Sequence, residues 1–208
     1  MLTEIQLNKM FEMQDAMNSK VNHNWKTANN DWLLAATMEA VEAIEHHGWK
    51  WWKHQERNVD QLQMELVDIW HFGMSHLIVS SKQENLGLRV LDSLKAPRTY
   101  VGTPLVQLLK SSVADYCEGV FFPIKFFQMV ELSGMSYEDF YKKYVGKNLL
   151  NFFRQDHGYK DGSYIKVWNG EEDNIVLMRL LDTCDIESPT IDKELYEKLE
   201  QAYAKVTG

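Results

Sequence analysis

The window 61–80, QLQMELVDIWHFGMSHLIVS, constrains the fold more than any other stretch, because its only formal charges are Glu65 and Asp68. Its apolar residues, from Leu62, Met64 and Leu66 through Ile69, Trp70 and Met74 to Val79, fall almost all round a helical wheel. A helix of that kind is covered on most sides and cannot stand alone. Asn58 and Gln61 have N-cap and N3 spacing, so the helix is expected to run from near Asn58 to about Ser81.

Helical spacing also dominates elsewhere. Leu2, Ile5, Leu7, Met10, Phe11 and Met17 recur at intervals of three and four, an amphipathic opening helix over about 2–18. A second helix is expected from an Asp31 N-cap to His47, stopped by Gly48, with Leu33, Thr37, Ala40 and Ile44 as its core stripe. Residues 82–104, which hold Gly87, Pro97, Gly102 and Pro104, read as a connector or insertion. A fourth helix covers about 105–133 with a bend or interruption at Pro123. Ser136 and Asp139 open a fifth in capping-box style, reaching about Asp156. Residues 158–188 read as loop, and Ser188-Pro189 opens a last helix to about Lys205. The expectation is an all-α helical bundle, one domain over 1–208; a chain of this length buries roughly 70% of its unfolded surface.

The charge balance of −8 gives no global attraction for nucleic acid or anionic membranes, so neither is an expected partner. Cys117 and Cys184 are too few for a disulfide framework. MLTEIQLNKM lacks the basic-then-apolar order of a secretory leader, and no eighteen-residue run is both apolar and uncharged. A cytoplasmic protein is expected.

Against that background the acids stand out. Window 32–44, WLLAATMEAVEAI, has Glu39 and Glu42 as its only charges, just as 61–80 has Glu65 and Asp68. A separation of three places each pair on one helix face. Two solvated acidic edges are the plain alternative, but neither window holds a Lys or Arg to neutralise them. Burying an unpaired carboxylate costs several kcal/mol. Four of them meeting across two helices repel unless they are protonated or bridged by cations. All are hard oxygen ligands with no cysteine beside them, which favours Mg²⁺, with Mn²⁺ as a substitute. A di-iron bundle needs Glu-x-x-His on two helices. Asp68-x-x-His71 occurs once and has no second copy, and a lone His71 equally suits a hydrogen-bonded core.

A basic segment lies further on. Lys142, Lys143, Lys147, Arg154, Lys160 and Lys166 face only Asp156 and Asp161 within 142–168. Lys147, Asn151 and Arg154 share one helix face, and Tyr159 and Lys166 follow in a glycine-containing loop able to fold over it. Lysine as a point charge and arginine as a fork suit polyphosphate oxygens, whereas a solvated basic edge is the simpler alternative. There is no P-loop and no dinucleotide fingerprint. Gln14 and Asn18 stand one turn apart, where their amides could pair with a pyrimidine edge. The tryptophans of Gly48-Trp-Lys-Trp-Trp-Lys53 suit a core, an interface or a base-stacking wall.

Four strings together resemble the dimeric dUTPases of the all-α nucleotide pyrophosphohydrolase superfamily, which includes the dUTPase/dCTPases and the MazG-like proteins. They are Met38-Glu39-Ala-Val-Glu42, Gly48-Trp-Lys-Trp-Trp-Lys53, Glu65-Leu-Val-Asp68-Ile-Trp-His71-Phe72 and Lys147-Asn-Leu-Leu-Asn151-Phe-Phe-Arg154-Gln-Asp-His-Gly-Tyr159. The resemblance runs from the first helix to about Asn174. It implies that Glu39, Glu42, Glu65 and Asp68 hold Mg²⁺. It also implies that Lys147, Arg154, Tyr159 and Lys166 contact the phosphate chain, with Asn151 at the nucleotide or a phosphate oxygen. Gln14, Asn18, Trp52 and His71 form the base-and-sugar end, closed by Asn174. The implied reaction is Mg²⁺-dependent hydrolysis of dUTP, and of dUDP, to dUMP, limiting uracil incorporation into DNA. Glu42 is the candidate to orient and deprotonate the attacking water, and a homodimer is the implied assembly. A dCTP-directed or broader dNTP pyrophosphohydrolase, and a non-enzymatic helical interaction protein, are the alternatives.

Overall fold

The computed structural model describes residues 1–81, 84–97, 100–185, 188 and 190–207. Its first helix, α1 (Glu4–Val21), starts at a full capping box. The Thr3 hydroxyl accepts from Gln6 N, and Gln6 Oε1 accepts from Thr3 N. A 3₁₀ turn at Trp25–Thr27 leads to α2 (Trp32–His47), whose first turn is closed by the Asp31 carboxylate accepting from Leu34 N at 2.9 Å. Gly48, at φ +82°, ends α2 in the left-handed region that glycine tolerates. The apolar helix α3 (Val59–Ser80) begins where Asn58 Oδ1 accepts from Gln61 N. Helices α2 and α3 form the most extensive helix pair, and α5 packs on the pair through α2. Thr37 and Ile44 are only half-buried; the buried stripe of α2 is Leu33, Ala36, Ala40 and Ala43. Small residues there let α3 approach closely.

The segment read as a connector carries a helix, α4 (Leu86–Leu94), laid against α1. Gly87 makes that approach feasible, because a β-carbon there would collide with the Asn8 side chain. The rest of the expected connector includes residues 82, 83, 98 and 99, which lie outside the described residues. The single helix expected over 105–133 is two: α5 (Leu105–Cys117) and α6 (Pro123–Leu132). Proline has no amide hydrogen to continue a helix but suits its first turn, so the chain breaks before Pro123 and restarts on it.

Ser136 caps α7 (Tyr137–Asp156), accepting from Asp139 N at 3.0 Å. The stretch 158–188, expected as loop, holds more order than that. A hairpin of β1 (Val167–Trp168) and β2 (Glu171–Glu172) turns on Asn169 and Gly170, both at positive φ. That is the Asn-Gly pair favoured by tight hairpin turns. Helix α8 (Asp173–Leu181) follows directly, then α9 (Ile191–Thr207). Of the pair expected to open α9, Pro189 lies outside the described residues, while the Ser188 carbonyl accepts from Ile191 N.

The core centres on Trp70 of α3, which is fully buried. Its ring lies 5.0–6.3 Å from those of Phe11, Phe121, Phe126, Phe127 and Phe140. A second aromatic cluster, Phe153, Tyr164, Trp168 and Tyr203, ties α7 to the hairpin and α9. No helix among the described residues is long and apolar enough to cross a membrane.

Candidate active site

The α2–α3 pairing sets the acids face to face. Carboxylate oxygens of Glu39, Glu42 and Glu65 all lie within 4.8 Å of one another. Glu65 is buried, Glu39 half-buried and Glu42 exposed. Burial, then the charges of Asp68 and Glu42, pushes the Glu39 carboxyl up to about 7. Burial, then Asp68 and Glu39, pushes that of Glu65 up to about 8. Asp68 sits at the edge of this group, with its Oδ2 2.8 Å from Lys147 Nζ. So three of the four expected ligands converge tightly, and the fourth is held by a cation from α7. His46 Nε2 stands 3.4 Å from Glu65 Oε1. Sequence reasoning missed this neighbour, although Glu42 and His46 are one turn apart on a single face.

Across the cavity stands α7. Lys147 is buried, and besides Asp68 it donates to Asn174 Oδ1 at 3.0 Å. Arg154, two turns further along the same face, is buried against Asp173 at the start of α8 and contacts Asn151 Oδ1 at 3.2 Å. The Tyr159 ring covers its guanidinium carbon at 5.6 Å. Lys166 is half-exposed and paired with Glu172 at 3.5 Å. Carboxylates and cations enclose one cavity of about 480 Å³, which also includes Tyr159, Lys166 and Asn174. A cavity of about 540 Å³ on the other side of Gln61 and Asn174 contains none of the four acids.

A narrower cavity of about 240 Å³ adjoins the first and shares Asp68, Arg154 and Tyr159 with it. Gln14, Asn18 and His71 line this second chamber, with Asn151 at its edge. Gln14 Nε2 donates to Asn18 Oδ1 at 3.0 Å and to Ser75 Oγ at 3.1 Å, and Asn18 Nδ2 donates to Ser75 Oγ at 2.8 Å. With that amide orientation Gln14 Oε1 is the acceptor for His71 Nδ1 at 2.6 Å. The proton is therefore on Nδ1, leaving Nε2 a buried lone pair with no partner. Burial pushes His71 down to about 4, so the ring is neutral. Trp32 and Phe72, stacked at 6.5 Å, form an aromatic wall absent from the sequence-based expectations.

Trp52 is not brought to either chamber. The loop after α2 folds back on the helix end. Gln55 Oε1 accepts from the backbone of Trp49 and Lys50, Trp49 Nε1 donates to Glu45 at 2.6 Å, and Lys50 pairs with Glu45. Trp52 is left 54% exposed, edge-on to Trp49 and Trp51.

Hard oxygen donors crowded on one wall, buried cations on the other and an amide-lined chamber at the end define an all-α nucleotide hydrolase. The donor set fits a hard divalent cation: every candidate ligand is a carboxylate, and mutual repulsion is what an ion there would relieve. Residues 6–159 match a family model described as dUTPase, and the chain belongs to that family. Its activity is that of a dUTP diphosphatase, and its substrate is a nucleotide. No curated protein matches the chain. The match ends at Tyr159, so Lys166 and Asn174, which line the acid-bearing cavity, and Asp173, which binds Arg154, lie beyond it.

Proposed function

We propose that the chain, working as one domain over residues 1–208, hydrolyses dUTP to dUMP and pyrophosphate, and dUDP to dUMP and phosphate, limiting uracil incorporation into DNA. The observation that carries this reading is the convergence of Glu39, Glu42 and Glu65 opposite Lys147 and Arg154, beside a chamber of the right polarity for a pyrimidine. Mg²⁺, with Mn²⁺ as a substitute, held by Glu39, Glu42, Glu65 and Asp68, would neutralise phosphate oxygens and lower the pKa of the attacking water.

The remaining chemistry falls to the chain itself. Glu42, the most exposed acid of the cluster, orients that water and takes its proton. Lys147, Arg154 and Lys166 offset charge on the phosphates, with Tyr159 over the chain and Asn151 and Asn174 as neutral partners. Gln14 and Asn18 present amides to the base. His71 Nε2 offers an acceptor, which matches the N3–H of uracil and disfavours cytosine, whose N3 is itself an acceptor. This favours dUTP over the dCTP-directed alternative.

The enzyme is proposed to be a cytoplasmic C₂ homodimer. Leu34, Met38 and Val41 are 59%, 52% and 49% exposed and form an apolar stripe along α2 that none of the described residues covers. The reading is tested by turnover of dUTP, dCTP, dTTP and dATP with Mg²⁺ and identification of products. Selective conversion of dUTP to dUMP is expected; no turnover of any nucleotide would leave the acids structural and favour an interaction protein.

A further inference from the structure

Arg154 has little freedom, and the reason lies outside the residues that touch a nucleotide. A guanidinium carries five N–H bonds in one plane. One edge is fully used: Nε donates to Asp173 Oδ2 and Nη2 to Asp173 Oδ1, both at 2.8 Å. Asp173 is completely buried at the first position of α8, and the Tyr164 hydroxyl donates to the same Oδ2 at 2.7 Å. The other edge is engaged only loosely. Nη1 reaches Asn151 Oδ1 at 3.2 Å and Nη2 reaches Asn174 Oδ1 at 3.4 Å. These are long contacts to neutral oxygens, which an anionic phosphate oxygen displaces readily.

We propose that Asp173, supported by Tyr164, is the positioning residue for Arg154, fixing one edge of the fork so that the opposite edge faces the phosphate chain. The proposal rests on the reading of Arg154 as a phosphate ligand. Without Asp173, the nearest partners for a long cationic side chain on this wall are the carboxylates of the cluster, Asp68 among them, which shares both chambers with Arg154. Asp173 satisfies the charge on the far edge and keeps the arginine off those acids. Its neighbour Asn174 accepts from Lys147, so the first two residues of α8 orient Lys147 and Arg154, the two α7 cations that line the acid-bearing cavity. The hairpin matters for the same reason: Asp173 N donates to Lys166 O at 3.0 Å, which fixes where α8 begins.

The test is steady-state kinetics with dUTP for wild type, Asp173→Asn, Tyr164→Phe, Arg154→Ala and the double variants. Asparagine keeps the shape but can accept on only one atom, so kcat/KM should fall by about ten- to a hundredfold, the worth of a hydrogen bond to a charged group. Tyr164→Phe, which leaves the carboxylate in place, should lose less. Both losses should vanish in the Arg154→Ala background, and Mn²⁺ affinity should equal that of wild type in every variant. A merely structural role would instead cost the same factor with or without Arg154, and that result overturns the proposal. Wild-type kinetics for Asp173→Asn overturns it as well. Should Asp173→Asn fail to fold, Tyr164→Phe compared with Tyr164→Phe/Arg154→Ala decides between the two roles by the same criterion. Wild-type kinetics for Arg154→Ala alone would overturn the phosphate reading of Arg154, a distinct result that removes the proposal with it.

Discussion

Without a bound cation, burial and mutual repulsion raise Glu39 to about 7 and Glu65 to about 8, so both hold protons well above the pH at which a free glutamate, at 4.5, releases them. The folded chain thus holds protons that the unfolded chain has released between pH 4.5 and about 8. Stability contributed by these groups is complete below that window and is lost as pH rises through it. His71 works in the opposite sense, but only between about 4 and 6.5. In chelator, therefore, the melting temperature should fall from pH 6.5 to pH 8.5, and Mg²⁺ should reverse the fall. A flat profile by scanning fluorimetry would count against a converged carboxylate group. Glu42, the exposed acid of the cluster, is the one proposed to act on water. Glu42→Gln should lower kcat by about 10²- to 10⁴-fold, the usual worth of a positioned base, with the circular dichroism spectrum unchanged. For His71, whose lone pair is the proposed uracil acceptor, His71→Phe should narrow the dUTP-to-dCTP preference about tenfold, as expected for one hydrogen bond; an unchanged ratio places base selection elsewhere.

Helix packing explains why these side chains meet. Gly73 lets Phe121 lie directly on α3, where a β-carbon would overlap its ring. Gly73→Ala should destabilise the chain by about 1–3 kcal/mol in a urea titration, the common cost of overpacking. Helix starts were readable in advance because each rests on local chemistry: Asp31, Asn58 and Ser136 all cap as their spacing implies. Elements whose stability is tertiary were not. Helix α4 does carry an apolar stripe, Leu86, Val90, Leu91 and Leu94, but it is only nine residues long and lies among Gly87, Pro97, Gly102 and Pro104, which together read as a connector. The hairpin strands are two residues each, too short to show alternation, and only Asn169-Gly170 marked them. The site divides in the same way. Carboxylates and α7 cations follow helical spacing and were legible, whereas Asp173 and His46 acquire meaning only when α8 meets α7 and α2 meets α3. Trp52 shows the reverse, a suggestive string whose loop is tied to its own helix by Glu45 and Gln55.

The chain as a unit places an acid wall from α2 and α3 against Lys147 and Arg154 of α7, which Asp173 and Asn174 of α8 hold in place, so the site depends on the whole bundle holding its spacing. The α2 stripe of Leu34, Met38 and Val41 is the face assigned to the proposed second copy; light scattering after size exclusion should then give twice the chain mass of 24.4 kDa. A particle of one chain mass at micromolar concentration would refute the dimer and leave the stripe unexplained. The central claim, that the acids of α2 and α3 form a divalent-cation site, is tested most directly by Mn²⁺ titration followed by electron paramagnetic resonance, on wild type and on Glu65→Gln. Saturable Mn²⁺ binding by wild type, lost or severely weakened in a folded Glu65→Gln protein, is the predicted result. Equal binding by both proteins, or none by wild type, would contradict it.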